Sequence, residues 1–272
     1  MKVGVIPIML RIVRKFCSLF GYSVQASRLT DVDLLQNLMR RLHPVEINIP
    51  FVRVGSERDG GYLVPADIEN IGALFSPGVG SKQDLDHEFA DRGVKVFMAD
   101  ASVEGPIEKH DNFVFLKKHL GAVDNDATIS FEQWLRDCSV EHDKDLMLQM
   151  DIEGAEYEVI YSIPSKMLQQ FRVIIVEFHQ LDLLFDGFMF EKFKNVFLKI
   201  LATHNCVHIH PNNCLPSVVI KNIEIPPVME FSFIRKDCAT VTGFASKFPH
   251  DLDVDCTSKA TLVLPKCWYR ST

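Results

Sequence analysis

The chain has 272 residues, of which 47% are hydrophobic and 24% are charged, and this composition excludes an intrinsically disordered protein. Its 29 basic and 36 acidic side chains give a formal charge of −7, which argues against a broad nucleic-acid-binding surface. The seven cysteines show no paired spacing. They predict free thiols in a reducing compartment, so we expect a cytoplasmic protein. From the negative charge we expect that it binds no nucleic acid.

The first 45 residues are predicted to form a helical segment ahead of one larger domain at residues 46–272. The apolar spacing over residues 8–20 predicts a helix, on which Arg11, Arg14 and Lys15 form a basic stripe. One interpretation is peripheral contact of residues 8–20 with an anionic membrane. The alternatives are docking on the chain's own domain or on a second subunit of a homodimer. No stretch reaches the roughly 20 mostly apolar residues of a membrane span.

A second helix is predicted to begin after Thr30 or Asp31 and to end at His43. Beyond it, short apolar runs alternate with helical patterns, which predicts an α/β fold with a mainly parallel sheet and helices on both faces. The predicted strands are Ala73–Phe75, Val94–Met98, Phe113–Leu116, Leu146–Met150, Val173–Phe178 and Cys206–Ile209. The predicted helices are Gln83–Arg92, Ser130–Asp137, Glu156–Ser162 and Phe188–His204. The alternation over residues 222–264 predicts antiparallel edge strands.

A glycine turn follows the first predicted strand of this sheet. Gly78 and Gly80 stand between that strand and a helix, and Asp100 ends the next strand about 20 residues later. This pattern places a nucleoside-containing cofactor on the turn, with Asp100 accepting hydrogen bonds from its ribose hydroxyls.

The helix after the glycine turn indicates which cofactor is bound. Gln83 occupies the position of the third glycine in a dinucleotide fingerprint, and Asp84 and Asp86 would repel a pyrophosphate at the start of the helix. A cofactor with a cationic group fits better, and S-adenosylmethionine is such a cofactor. A nicotinamide-dependent oxidoreductase is therefore the weaker alternative.

Polar side chains follow three further strands, at the ends where ligands bind in open α/β sheets. Asp151 follows one strand, Glu177 and His179 end the next, and His208 and His210 lie on the third. We expect Asp151, His179 and His210 to be catalytic, with a histidine taking a proton from a hydroxyl nucleophile. Alternatively, Asp151, Glu177 and His179 hold a divalent cation, with Mg²⁺ or Mn²⁺ preferred by the carboxylates.

Two other polar residues near these strand ends are expected to be structural. Glu156 stands at a predicted helix start, where acidic residues are favoured whatever the function. His208 lies on the same side of its strand as His210, and we expect it to pack.

Four segments of the chain belong together: Asp59-Gly60-Gly61-Tyr62, the turn at Gly78 and Gly80, Asp100, and Met150-Asp151-Ile152-Glu153-Gly154-Ala155-Glu156. Together they resemble FkbM-type S-adenosylmethionine-dependent methyltransferases. The resemblance covers roughly residues 52–213. It implies the class I methyltransferase fold, a Rossmann-like seven-stranded sheet with one antiparallel strand. It also places Asp59 and Gly60 at the cofactor.

The resemblance further implies the reaction class. FkbM-type enzymes transfer a methyl group to an oxygen, and many relatives modify sugars of surface polysaccharides. We therefore expect a sugar or glycan acceptor. The alternative is a catalytically inactive methyltransferase fold that serves as a scaffold or interaction protein.

Overall fold

The computed structural model describes residues 5–24, 26–80, 82–138, 140 and 144–270. The first elements of the described residues are helices α1 (Val5–Ser18) and α2 (Val32–Leu42). The Asp31 side chain accepts hydrogen bonds from the backbone N–H groups of Asp33 and Leu34, and it thereby caps α2. Because His43 follows the last turn, both predicted ends of this helix are confirmed.

The described residues form 15 strands and five further helices. The strands are β1 (Val45–Ile47), β2 (Phe51–Gly55), β3 (Gly61–Pro65), β4 (Ile71–Pro77), β5 (Lys95–Ala99), β6 (Phe113–Leu116), β7 (His119–Gly121), β8 (Thr128–Ser130), β9 (Asp145–Met150), β10 (Phe171–Phe178), β11 (His204–Pro211), β12 (Val218–Ile220), β13 (Ile223–Ile225), β14 (Met229–Arg235) and β15 (Val241–Phe244). The helices are α3 (Asp84–Asp91), α4 (Phe131–Asp137), α5 (Glu156–Ser162), α6 (Ser165–Leu168) and α7 (Gly187–Thr203), with 3₁₀ turns at Leu181–Phe185 and Lys266–Trp268.

Seven of the strands form the central sheet, in the order β6-β5-β4-β9-β10-β14-β11. Neighbouring strands from β6 to β10 are parallel, whereas β14 runs antiparallel to both β10 and β11. The predicted mostly parallel sheet with one antiparallel strand is therefore confirmed. It fits the α/β methyltransferase fold that the resemblance implies.

The prediction of edge strands near the C-terminus is wrong for β14, which lies between β10 and β11. Its alternation is real, because Phe231 and Phe233 face one apolar layer while Glu230 and Ser232 face the other side of the sheet. The polar side is also covered, so Glu230 is only 6% exposed. Alternation alone does not reveal whether a polar face meets solvent or a polar cover.

Successive side chains of the central strands point into two separate apolar layers. In β10, Ile174 and Val176 join one layer, whereas Val173 and Ile175 join the other. The first layer includes α2, α4, α5 and α7, and the second includes α3 and the β2–β3 hairpin. A strand buried on both faces explains the unbroken apolar run that predicted it.

Helix α2 contributes to the first of these layers. Its residues Leu35, Leu38, Met39 and Leu42 are at most 3% exposed and pack within the same apolar cluster as Trp268 near the C-terminus. Helix α2 therefore belongs to the apolar core on one face of the sheet. The domain boundary at residue 45 stays a prediction.

A chain of buried polar groups fastens the β2–β3 hairpin to the sheet. The Ser76 hydroxyl donates to Gln149 Oε1 at 3.1 Å, and Gln149 Nε2 donates to the Tyr62 hydroxyl at 3.0 Å. The Ser232 hydroxyl donates to the Leu63 carbonyl at 2.6 Å. These bonds hold the hairpin over the face of the sheet that carries Gln149 and Ser232.

We expect Asp86→Asn to stabilise the protein at neutral pH. Burial raises the pKa of Asp86 from 3.8 to about 7, although a hydrogen bond with Ser76 opposes this. In the unfolded chain this carboxyl ionises near pH 4, so its contribution to stability falls between pH 4 and 7 and is constant above. The pKa difference corresponds to at most about 4 kcal/mol.

The measurement is the free energy of unfolding of the Asp86→Asn variant at pH 4 and pH 8, with Asp84→Asn as control. Asp84 is exposed in the first turn of the same helix, so its replacement should change little. A gain at pH 8 that shrinks at pH 4 is expected. An equal change at both pH values would contradict the assignment.

Candidate active site

The candidate site lies where four parallel strands end at one edge of the sheet. Strand β4 runs into Gly78, β5 into Asp100, β9 into Asp151 and β10 into His179. Because the strands are parallel, their carboxyl ends meet along one edge, as predicted.

The glycine turn is tied directly to its neighbouring strands. Gly78 N donates to the Ala99 carbonyl at 3.1 Å, and Val79 N donates to Asp100 Oδ2 at 2.9 Å. Gly78 has φ +89°, and a Cβ there would lie 1.7 Å from the Asp151 carbonyl oxygen. Gly78 is therefore required by the contact between two strand ends, a reason the sequence analysis did not foresee.

Gly80 and Asp100 line the space in front of this turn. A Cβ at Gly80 would meet only Lys82 N, at 3.9 Å, so the backbone there is open to a ligand. Asp100 accepts hydrogen bonds from Val79 N and Ser102 N. Burial raises the pKa of Asp100, but these hydrogen bonds outweigh it and leave the pKa below its ordinary value. The ionised carboxylate keeps free lone pairs for ligand hydroxyls.

Asp59 and Gly60 lie in the turn between β2 and β3. Asp59 Oδ2 is 3.8 Å from Lys82 Nζ, and both side chains are about half exposed. The negative charge of Asp59 is among the causes that raise the pKa of Asp151 and of Glu177. The hairpin thus brings this predicted cofactor residue to the carboxylates at the strand ends.

Asp151, Glu177 and His179 form a cluster whose ligand atoms all lie within 4.8 Å of one another. His179 Nε2 is 3.9 Å from Asp151 Oδ1 and 3.7 Å from Glu177 Oε1. Asp151 Oδ1 is buried without a hydrogen-bond partner among the described residues. The structure thus brings together the three predicted metal ligands, including two of the three predicted catalytic residues.

Of the two carboxyl groups of this cluster, Glu177 is buried and Asp151 is half-buried. Burial raises the pKa of Asp151 to about 6, although the nearby His179 lowers it. Burial and the charge of Asp151 raise the pKa of Glu177 well above its ordinary value. A cation between the two carboxyl groups would therefore stabilise the ionised form of both.

Glu156, which the sequence analysis treated as a structural residue, positions His179. It is fully buried, and its Oε1 accepts from His179 Nδ1 at 3.2 Å and from the backbone N–H groups of Ile152 and Gly154. Burial lowers the pKa of His179, but the hydrogen bond to Glu156 and the charges of the surrounding carboxylates together raise it by a larger amount. The net pKa lies above its ordinary value.

This hydrogen bond also decides which ring nitrogen of His179 faces the site. A carboxylate can only accept, so the Nδ1 atom beside Glu156 carries a hydrogen. In the neutral ring, Nε2 then presents a lone pair towards Asp151 and Glu177. A proton or a metal ion at Nε2 would relieve the repulsion between these atoms, and a Glu–His–metal arrangement is a common second shell.

His210 lies farther along the same face of the sheet. In the register of the strands Glu230 is opposite Glu177 on one side and opposite His210 on the other. His210 Nδ1 is 3.6 Å from Asp253 Oδ2, and neither ring nitrogen has a hydrogen-bond partner among the described residues. His210 is outside the three-residue cluster and is connected to it through Glu230.

Two acidic residues of this region were not predicted. Burial raises the pKa of Glu230 to about 7, although the nearby His210 lowers it. Asp253 Oδ1 accepts from His208 Nε2 at 2.8 Å, and this bond holds the buried His208 as a packed residue, as expected. A charged residue within the apolar strand β14 was a visible signal for Glu230, whereas no local pattern marked Asp253.

We expect Glu156→Gln to lower the pKa of His179, because the variant keeps an acceptor oxygen but loses the charge that favours the imidazolium. The measurement is a histidine-ring NMR titration of chelator-treated protein. Glu158→Gln, an exposed change on the same helix, should leave this pKa unchanged. Glu156→Ala should cost about 1–3 kcal/mol in stability, because it leaves two backbone N–H groups without a partner. An unchanged His179 pKa in Glu156→Gln would contradict the positioning role.

The comparison with known families bears on this geometry. No curated protein matches the chain. Residues 78–206 match the family model described as the methyltransferase FkbM domain. The matched range begins at the glycine turn and includes Asp100, Asp151, Glu177 and His179, so the residues converging at the sheet edge lie within it. This part of the chain is therefore similar to a methyltransferase domain of the FkbM type.

Proposed function

We propose that the protein is an S-adenosylmethionine-dependent O-methyltransferase that methylates a hydroxyl group of a sugar or glycan. The observation that carries this proposal is the meeting of Asp151, Glu177 and His179 beside the glycine turn. Gly78 packs against the Asp151 backbone carbonyl, so the glycine turn adjoins the strand end that carries this cluster. Methyl transfer to oxygen requires that proximity.

The residues around the glycine turn suit the proposed cofactor. Asp100 is an ionised acceptor for ribose hydroxyls, and Gly80 leaves the backbone open. Asp59 adds a carboxylate where the cationic methionine end would be held. When bound, S-adenosylmethionine supplies a methyl group on a positively charged sulfur, and a carboxylate-rich site favours such a charge.

His179 is the group best placed to accept the hydroxyl proton. Its Nε2 faces the site, and Glu156 behind it stabilises the imidazolium that would form. The Tyr157 hydroxyl donates to the His179 carbonyl at 2.9 Å and fixes the backbone there. Asp151 and Glu177 orient the acceptor by accepting hydrogen bonds from its hydroxyls, as a sugar with several hydroxyl groups would allow.

The same three residues fit a divalent cation. Their atoms are spaced so that one ion with bonds of about 2 Å can reach them after small shifts, and two carboxylates favour Mg²⁺ or Mn²⁺. A cation held by Asp151, Glu177 and His179 would lower the pKa of a bound acceptor hydroxyl. In that case the proton would leave to another base, for which His210 is placed beyond Glu230.

We expect Asp151→Asn and His179→Gln to lower kcat by about 10²-fold or more while changing the affinity for S-adenosylmethionine only a few-fold. The reason is that both side chains face the acceptor side of the glycine turn. Calorimetric titration with the cofactor and a methyl-transfer assay over a panel of sugars and glycans would measure both quantities. Asp137→Asn, an exposed change on α4, is the control.

Absence of cofactor binding in the native chain would reject the methyltransferase assignment and favour a scaffold role. Cofactor binding with normal turnover in both variants would instead reject the site. Turnover on other hydroxyl compounds but not on any sugar would retain the chemistry and reject the acceptor class.

We expect Mn²⁺ to bind the native chain and to bind Glu177→Gln at least 10-fold more weakly, because the variant loses one anionic ligand. Electron paramagnetic resonance of Mn²⁺ would measure this, with Glu158→Gln as the control variant. A chelator should then reduce turnover without weakening cofactor binding. If Mn²⁺ does not bind and the chelator has no effect, His179 acts as a base without a metal.

A further inference from the structure

Helix α1 and the turn after it present large apolar side chains to solvent. Met9, Ile12 and Phe16 recur at helical spacing and are 61–64% exposed, and Leu19 and Phe20 continue the patch at 75% and 65%. We name this set the α1 apolar face. In α2, by contrast, four apolar residues are at most 3% exposed, namely Leu35, Leu38, Met39 and Leu42. Among the described residues, none covers the α1 apolar face.

The charge of the surrounding segment indicates the chemistry of an occupant of this face. The first 30 residues of the chain contain five basic residues and no acidic one, whereas the remainder carries 24 basic and 36 acidic residues. Three of the five, Arg11, Arg14 and Lys15, lie in α1 itself and are exposed. An occupant that takes up apolar side chains and is negatively charged at its surface satisfies both features.

We propose that α1 binds the surface of a bilayer containing anionic phospholipids. The helix would lie parallel to the membrane plane, with the α1 apolar face in the interface and the basic side chains at the headgroups. Burying three basic residues in hydrocarbon is costly, so a transverse orientation is disfavoured. No described helix is long and apolar enough to span a membrane. This proposal is independent of the proposed function.

The test is sedimentation of the full chain with phosphatidylcholine vesicles, with and without phosphatidylserine. Binding should require phosphatidylserine and should weaken as salt is raised. Arg11→Gln combined with Arg14→Gln should reduce binding on the order of 30-fold, and Ile12→Gln combined with Phe16→Gln should reduce it at least as strongly.

Val219→Gln is the matched control, because Val219 is 62% exposed and Ile12 is 63% exposed. All substituted side chains are exposed, so the melting temperatures should stay close to that of the native chain. Retained vesicle binding in both double variants, or no binding by the native chain, would overturn the proposal. The native chain could also fail to bind vesicles but self-associate, with the Ile12→Gln, Phe16→Gln double variant losing that self-association. This result would assign the α1 apolar face to a second copy of the chain and would also overturn the proposal.

Discussion

The site is built around buried carboxyl groups that cannot all be ionised at low energetic cost. Asp151, Glu177 and Glu230 each have a raised pKa, and burial is the largest cause in every case. Such a cluster remains in a folded protein when protons, histidines or a bound cation offset its charge. His179 and His210 lie beside these carboxyl groups. The β2–β3 hairpin and the segment that carries Asp253 lie next to them.

The fold supplies these groups from separate parts of the chain. The parallel strands bring Asp151 and His179 to one edge of the sheet, the antiparallel strand β14 inserts Glu230, and the C-terminal segment returns to place Asp253 against His208. The hairpin covers the polar face that would otherwise meet water. Each contribution is local, but their common result is a cluster of carboxyl groups and histidines next to an open glycine turn.

Much of this arrangement could be predicted from the sequence, because parallel strands with unbroken apolar runs have recognisable patterns and their carboxyl ends must meet. That reasoning brought Asp151, Glu177 and His179 together. The same reasoning could not place Glu230, because the register of an antiparallel strand cannot be predicted from the spacing of nearby residues. The role of Glu156 was misjudged because acidic residues are favoured at any helix start by the helix dipole. Its hydrogen bond to His179 could therefore not be recognised from its position in the sequence. Asp253 depends on how a long, irregular segment returns to the sheet.

The match to the family model ends at residue 206, whereas residues on either side of the matched range also lie at the candidate site. The matched strands carry the groups proposed to react, whereas the β2–β3 hairpin before them contributes Asp59 and the segment after them contributes Glu230 and Asp253. Exchange of these flanking parts would change the surroundings of the cluster while leaving the strand ends unaltered. The division offers a route by which selectivity can diverge without disturbing the chemical centre.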